Sequence, residues 1–118
     1  MYNIKIEAVF SAAHNLKGYK GKCEELHGHN WKVEVAAQKK NLDKIGMVLD
    51  FKYLKMVVNE ILDGLDHKYL NKISCFSKVN PTSENIAKYV YRKLKPKISI
   101  VKSVTVWESE NSSATYYE

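Results

Sequence analysis

Two stretches alternate apolar and polar residues so strictly that this chain must begin with a pair of half-buried strands. In residues 3–11, Ile4, Ile6, Ala8 and Phe10 lie on one face and Lys5, Glu7, Val9 and Ser11 on the other. In residues 30–37, Trp31, Val33, Val35 and Ala37 share a face, with Asn30, Lys32, Glu34 and Ala36 opposite. Side chains two apart point the same way in a strand, so each segment has one core face and one mostly polar face.

The second strand carries chemistry on its apolar side. His27 and His29 have the parity of Trp31, and Gly28 between them presents no side chain to the far face. His14 falls at or just past the end of the first strand. If the two strands pair antiparallel, the end of one lies beside the start of the next, which gathers three imidazoles at one end of a hairpin. Neutral imidazole is the commonest metal ligand, and zinc takes three or four such donors. Cys23, four residues before His27, admits two roles by spacing: a fourth ligand that closes a structural site, or a thiol standing beside an open one.

The rest of the chain reads as helices and two further strands. Asn41–Gly46 is a turn and Met47–Leu49 a short extended piece. Asp50 is placed to cap a helix with Phe51, Leu54, Val58, Ile61 and Leu62 inward and Gly64 as its C-cap. Asp66 and His67 then follow in the loop. A second helix starts at Thr82 or Ser83, turns Ile86, Val90 and Leu94 inward and stops before Pro96. A strand over 102–108 puts Glu108 on the parity of Val104 and Val106, and 114–117 make the last strand. The order β-β-α-α-β-β implies an α+β fold: a single domain over 1–118, with an antiparallel four-stranded sheet and two helices on one face. The open sheet edges imply pairing with other copies, hence a homo-oligomer.

Composition excludes several classes. With 45% hydrophobic and 27% charged residues the chain is ordinary for a globular protein, and no apolar run reaches membrane-spanning length. No h-region follows Met1-Tyr2-Asn3-Ile4-Lys5, so a cytoplasmic protein with free thiols at Cys23 and Cys75 is expected, Cys75 being structural. The net charge is +6, but Arg92 is the only arginine and the lysines are scattered, except around Lys17–Lys22. Arginine is the usual reader of base edges, so no nucleic-acid or membrane partner is expected. The loop lysines are candidates for an anionic tail on a small molecule.

Taken in order, Phe10-Ser11-Ala12-Ala13-His14, Cys23-x-x-x-His27-Gly28-His29, Leu49-Asp50-Phe51, Leu65-Asp66-His67, Pro81-Thr82-Ser83-Glu84 and Glu108 resemble the 6-pyruvoyltetrahydropterin synthase family across essentially the whole chain. Within it the chain looks like the short bacterial branch, the 6-carboxytetrahydropterin synthases of the queuosine pathway. The resemblance implies a tunnelling fold (T-fold) assembled into an oligomeric barrel, usually a stacked hexamer, with active sites between subunits. It implies a lyase that converts 7,8-dihydroneopterin triphosphate to 6-carboxytetrahydropterin, acetaldehyde and triphosphate. By position it assigns zinc (Zn2+) to His14, His27 and His29, the general base to Cys23, and tuning or relay of the proton to Asp66 and His67. It assigns the pterin ring to Glu108, with Thr82 and Ser83 as further contacts. Side-chain cleavage of the folate type and 6-pyruvoyltetrahydropterin formation are the alternatives on the same scaffold. A non-enzymatic zinc-binding or basic nucleic-acid-binding module is the alternative of another class.

The residue chemistry agrees with an open metal site. Three neutral histidines leave zinc a position for a substrate hydroxyl. A thiol of ordinary pKa about 8.5 needs a cationic neighbour or the metal to act as a base near neutrality. A carboxylate at a strand end, such as Glu108, is suited to two adjacent N–H groups of a pterin edge. Glu110 is the lesser candidate for that role, and Thr82 and Ser83 are most simply helix caps.

Overall fold

The computed structural model describes residues 1–21 and 24–118. The alternating segments form a long hairpin: β1 (Tyr2–His14) and β2 (His27–Lys39) pair antiparallel with Phe10 opposite Trp31 and His14 opposite His27. Two 12-residue helices follow, α1 (Phe51–Leu62) and α2 (Ser83–Leu94), separated by a two-residue strand β3 (Lys68–Tyr69) and two short 3-10 turns. The chain closes with β4 (Val101–Ser109) and β5 (Ser112–Tyr116). Among the described residues the sheet therefore has five strands in the order β3-β1-β2-β4-β5, one more than the alternation predicts. The extra strand runs parallel to β1 through Ala12 and Ala13 and is too short to carry a periodic pattern.

Both helices cover the face that bears Ile6, Phe10, Trp31, Val33, Val35, Val104 and Val106. From α2, Ile86, Val90 and Leu94 are fully buried, as their spacing requires. From α1, Leu54, Val57, Val58 and Leu62 go inward, whereas Phe51 is 54% exposed. Phe51 instead lines a surface cleft with Tyr2, Met47 and Leu49. Asp50 caps α1 by accepting from the Lys52 N–H at 2.9 Å, and Thr82 caps α2 by accepting from the Asn85 N–H at 3.1 Å.

The end of α1 departs from the expected glycine cap. The C-cap residue is Asp63, in a right-handed conformation, and Gly64 merely continues the turn through its N–H to the Ile61 carbonyl. The left-handed residue comes three positions later, at His67 (φ 56°). Leu65, fully buried, pins this turn to the core, so the chain reverses after it and delivers Asp66 and His67 to the edge of β1. Among the described residues no helix is long and apolar enough to cross a membrane.

Candidate metal centre and acid–histidine pair

The register His14↔His27 and Ala12↔His29 sets three imidazoles on the core face at one end of the hairpin. Their ring centroids lie 4.5 Å (His14–His27), 4.7 Å (His27–His29) and 5.2 Å (His14–His29) apart, all near edge-to-face. Trp31, fully buried, forms the floor: its ring meets His14 at 4.9 Å and His29 at 5.2 Å. Its indole N–H donates to the Ala12 carbonyl at 3.2 Å and its ring stacks on Phe10 at 5.9 Å. The strand pairing Lys32↔Trp107 carries the next residue of β4, Glu108, up to the same end, where Glu108 Oε1 stands 2.9 Å from His29 Nε2. One donor atom from each of His14, His27, His29 and Glu108 falls within 4.8 Å of the others.

Two backbone carbonyls decide which nitrogens face inward. His14 Nδ1 is 2.8 Å from the Pro81 carbonyl and His27 Nδ1 is 2.8 Å from the Glu25 carbonyl. A carbonyl only accepts, so each Nδ1 carries the proton and each Nε2 keeps a lone pair. His14 Nε2 and His29 Nε2 are buried without a hydrogen bond; Glu108 is near the latter but not aligned as its acceptor. Burial is the main cause that lowers the pKa of both His14 and His29 below the ordinary imidazole value, offset in part by the Pro81 carbonyl at His14 and by Glu108 at His29. Neutral, pre-oriented imidazoles with orphaned buried lone pairs are the donor set a divalent ion needs, and the cluster fits one. Glu108 is one-third exposed, so the group opens to solvent on its side.

The second pair is built differently. Asp66 accepts from the Ser11 N–H at 2.9 Å and from His67 Nδ1 at 3.0 Å, while the His67 N–H donates to the Ser11 carbonyl at 2.6 Å. The Ser11 N–H is the main reason the Asp66 carboxyl titrates below its ordinary range, with the bond from His67 adding to it. The pairing leaves His67 Nε2 facing away from Asp66 on a ring 82% exposed. The structure therefore unites three of the four histidines with Glu108 and does not bring His67 to them within one chain. A left-handed backbone turns this ring outward from the sheet edge.

Thr82 and Ser83 begin α2 directly after Pro81, whose carbonyl holds His14; Ser83 is buried. Cys23 lies outside the described residues. Cys75 is exposed, and burial of its thiol is the main cause raising its pKa. Sequence reasoning treated Trp31 as core alone, although its parity already placed it beside His29. The carbonyl of Pro81 left no sequence signal, because it is brought to His14 from 67 residues away.

A small α+β domain with a histidine cluster on a hairpin that could hold a divalent ion is one of many such arrangements; comparison narrows it. Residues 3–118 match the family described as 6-pyruvoyl tetrahydropterin synthase, and the chain belongs to that family. A protein of Archaeoglobus fulgidus provisionally named 6-carboxy-5,6,7,8-tetrahydropterin synthase is 43% identical over 111 residues, covering 94% of this chain and 91% of its own. Relatives from Haemophilus influenzae and Synechocystis bear that name without qualification. A Pyrococcus furiosus dihydroneopterin monophosphate aldolase is 38% identical over 104 residues, 86% of this chain and 84% of its own. The solved structure of Caenorhabditis elegans 6-pyruvoyl tetrahydropterin synthase superposes with a TM-score of 0.87 at 34% identity, covering 100% of this chain and 97% of that one.

Proposed function

We propose that this chain is a zinc-dependent pterin lyase that converts 7,8-dihydroneopterin triphosphate to 6-carboxy-5,6,7,8-tetrahydropterin, acetaldehyde and triphosphate. The observation that carries the reading is the set of three imidazoles converging beside a carboxylate, two of them with Nδ1 locked by carbonyls, in a chain whose relatives are pterin enzymes. His14, His27 and His29 are the ligands in this reading. A bound zinc ion would supply Lewis acidity to oxygens of the substrate side chain.

The chain's own residues supply the rest. Glu108 takes two adjacent N–H groups of the pterin ring, orienting the side chain toward the histidines. Cys23 acts as base, its thiol lowered by the cationic surroundings of an occupied site. The Asp66–His67 pair moves the proton: the carboxylate fixes the Nδ1–H tautomer and leaves Nε2 to exchange. Thr82 and Ser83 present the first amides of α2 to the ring. Since His67 stands apart from the imidazole cluster within one protomer, the working site draws the pair from a neighbouring copy in a homo-oligomer, a hexamer of stacked barrels. The setting is the cytoplasm, in queuosine biosynthesis.

One specific observation favours a second reading on the same scaffold, the 38% identity to an archaeal aldolase. Turnover of dihydroneopterin triphosphate by the zinc-loaded protein separates the two. Acetaldehyde with 6-carboxytetrahydropterin is expected; a hydroxymethylpterin with phosphorylated glycolaldehyde, from this substrate or from dihydroneopterin monophosphate, supports the aldolase reading, a pyruvoyl product the synthase of the family name, and no turnover of either substrate overturns all three. Cys23→Ala is expected to keep zinc and lose turnover. Loss of zinc instead makes Cys23 a ligand.

A further inference from the structure

His14 is clamped from outside its own hairpin, by the carbonyl of Pro81, 67 residues away in the chain and 2.8 Å from Nδ1. The backbone that carries this carbonyl therefore decides which nitrogen of the ring keeps the lone pair. We infer that Asn85, in the first turn of α2, is a positioning residue for His14: its side-chain amide locks the turn at Pro81, so that the Pro81 carbonyl meets Nδ1 and Nε2 is left to the metal. This rests on the reading of the three imidazoles as a zinc site, and extends that site to a residue whose own hydrogen bonds go elsewhere.

The turn is built on one acceptor shared by two donors. The Asn80 carbonyl accepts from the Thr82 N–H at 2.9 Å, closing a γ-turn with Pro81 at its centre. The same carbonyl accepts from Asn85 Nδ2 at 2.8 Å. In a γ-turn the outer two residues pair with each other, so the carbonyl of the central one finds no partner inside the turn. Proline suits the centre, because its ring fixes φ and it has no N–H to satisfy. Pro81 is buried, where an unpaired carbonyl is costly, and His14 Nδ1 supplies the missing donor.

Asn85 reaches the turn because of its place on the helix. It is the third helical residue after the Thr82 cap, and its N–H donates to Thr82 Oγ1 at 3.1 Å. Side chains at this position fold back over the helix start. Here the amide passes the cap residue and takes hold of Asn80. Asn80 in turn ties the turn to the segment leaving β1: its Oδ1 accepts from the Lys17 N–H at 3.0 Å and its Nδ2 donates to the Lys17 carbonyl at 2.9 Å. Helix, turn and strand end are thus one unit. Strand register sets where the His14 backbone lies but does not choose between the ring nitrogens. A carbonyl beside Nδ1 does choose, since only the Nδ1–H tautomer can donate to it.

Ring-nitrogen chemical shifts measured by NMR report the tautomer directly. In metal-free wild-type protein His14 should be the Nδ1–H form; an Nε2–H ring overturns the inference. Asn85→Ala keeps the N–H that bonds Thr82 and loses only the side-chain lock. It should give a mixture of tautomers at His14, and weaken zinc binding by about 10- to 100-fold, the range for losing a group that orients a metal ligand. Asp50→Ala removes the N-cap bond of α1, beside Tyr2 at the opposite end of β1, and serves as the control for lost stability. It should bind zinc as the wild type does. Should Asn85→Ala fail to fold, Asn85→Asp has the same shape but turns an oxygen toward the Asn80 carbonyl, and should show the same two changes. A folded Asn85 variant in which either the His14 tautomer or the zinc affinity is unchanged overturns the assignment, as does equal weakening by Asp50→Ala. Wild-type protein that takes up no zinc overturns the metal reading, and the inference with it, before any variant is compared.

Discussion

The imidazole cluster and the Asp66–His67 pair both grow from the end of β1, at His14 and Ser11, yet they are held in opposite ways. The cluster is fixed by packing: a buried tryptophan floor, carbonyl clamps from Pro81 and Glu25, and strand register. The pair is fixed by backbone hydrogen bonds at a sheet edge, on a residue with a left-handed φ, and its ring stands in solvent. Burial lowers the affinity of His14 and His29 for protons and so favours the neutral imidazoles a metal would need, whereas hydrogen bonds favour the ionised form of Asp66, which orients the His67 ring. The candidate donor set is therefore complete within one chain, whereas the Asp66–His67 pair stands apart from it with its ring exposed.

The sharpest way to break this division is at His27. His27→Ala is expected to weaken zinc binding by at least about a hundredfold, beyond what loss of a single outer hydrogen bond to a ligand produces, and to abolish activity. Metal analysis of the purified variant checks it; full zinc retention would remove His27 from the ligand set. The matching change on the other side is Asp66→Asn, nearly the same in shape. Turnover should fall by about 10² to 10⁴, the range for a lost general acid–base contribution, with zinc content unaltered. A variant that loses zinc in proportion to activity would merge the two regions into one.

Acidification separates them again. His14 and His29 have folded pKa values below the unfolded value of 6.5, so the unfolded chain binds more protons and the stability they contribute is lost as pH falls below about 6.5. Asp66 is also depressed, from 3.8, so its contribution persists above that value and disappears only as pH falls through its lower folded value. Thermal melts of metal-free protein should show a decline beginning near pH 6.5, absent when His14 and His29 are replaced by glutamine. The same melts of Asp66→Asn should keep that decline and lose only the one below pH 3.8. Metal release follows the first window, since the ligands must be deprotonated to bind.

The cluster was legible in the sequence because period-two patterning places side chains on faces. Parity put His27, His29 and Trp31 together, the hairpin added His14, and parity again put Glu108 on the core face. What escaped was everything set by backbone hydrogen bonds across long separations: the Pro81 carbonyl, the two atoms of Ser11 that dock the pair, and the two-residue β3. The C-cap of α1 was misplaced for a related reason. A glycine after a helix usually takes the left-handed position, but here Leu65 anchors the turn in the core and the reversal falls on His67.

That reversal yields the smallest and most diagnostic effect. Both His67→Gly and His67→Ala remove the imidazole, so both should lose activity alike. Their stabilities should differ in the direction opposite to the usual one. Elsewhere glycine is the less stable of the two, because it frees the unfolded chain. At φ 56° an L side chain crowds the following carbonyl, a strain of roughly 1 kcal/mol that glycine does not carry. His67→Gly should therefore melt about 4 °C above His67→Ala. An alanine variant as stable as the glycine one would mean the turn is not held in the left-handed region, and that the outward presentation of His67 is not imposed by the backbone. The ring's exposure would then be one rotamer among several, and the contrast with the packed imidazoles would rest on hydrogen bonding alone.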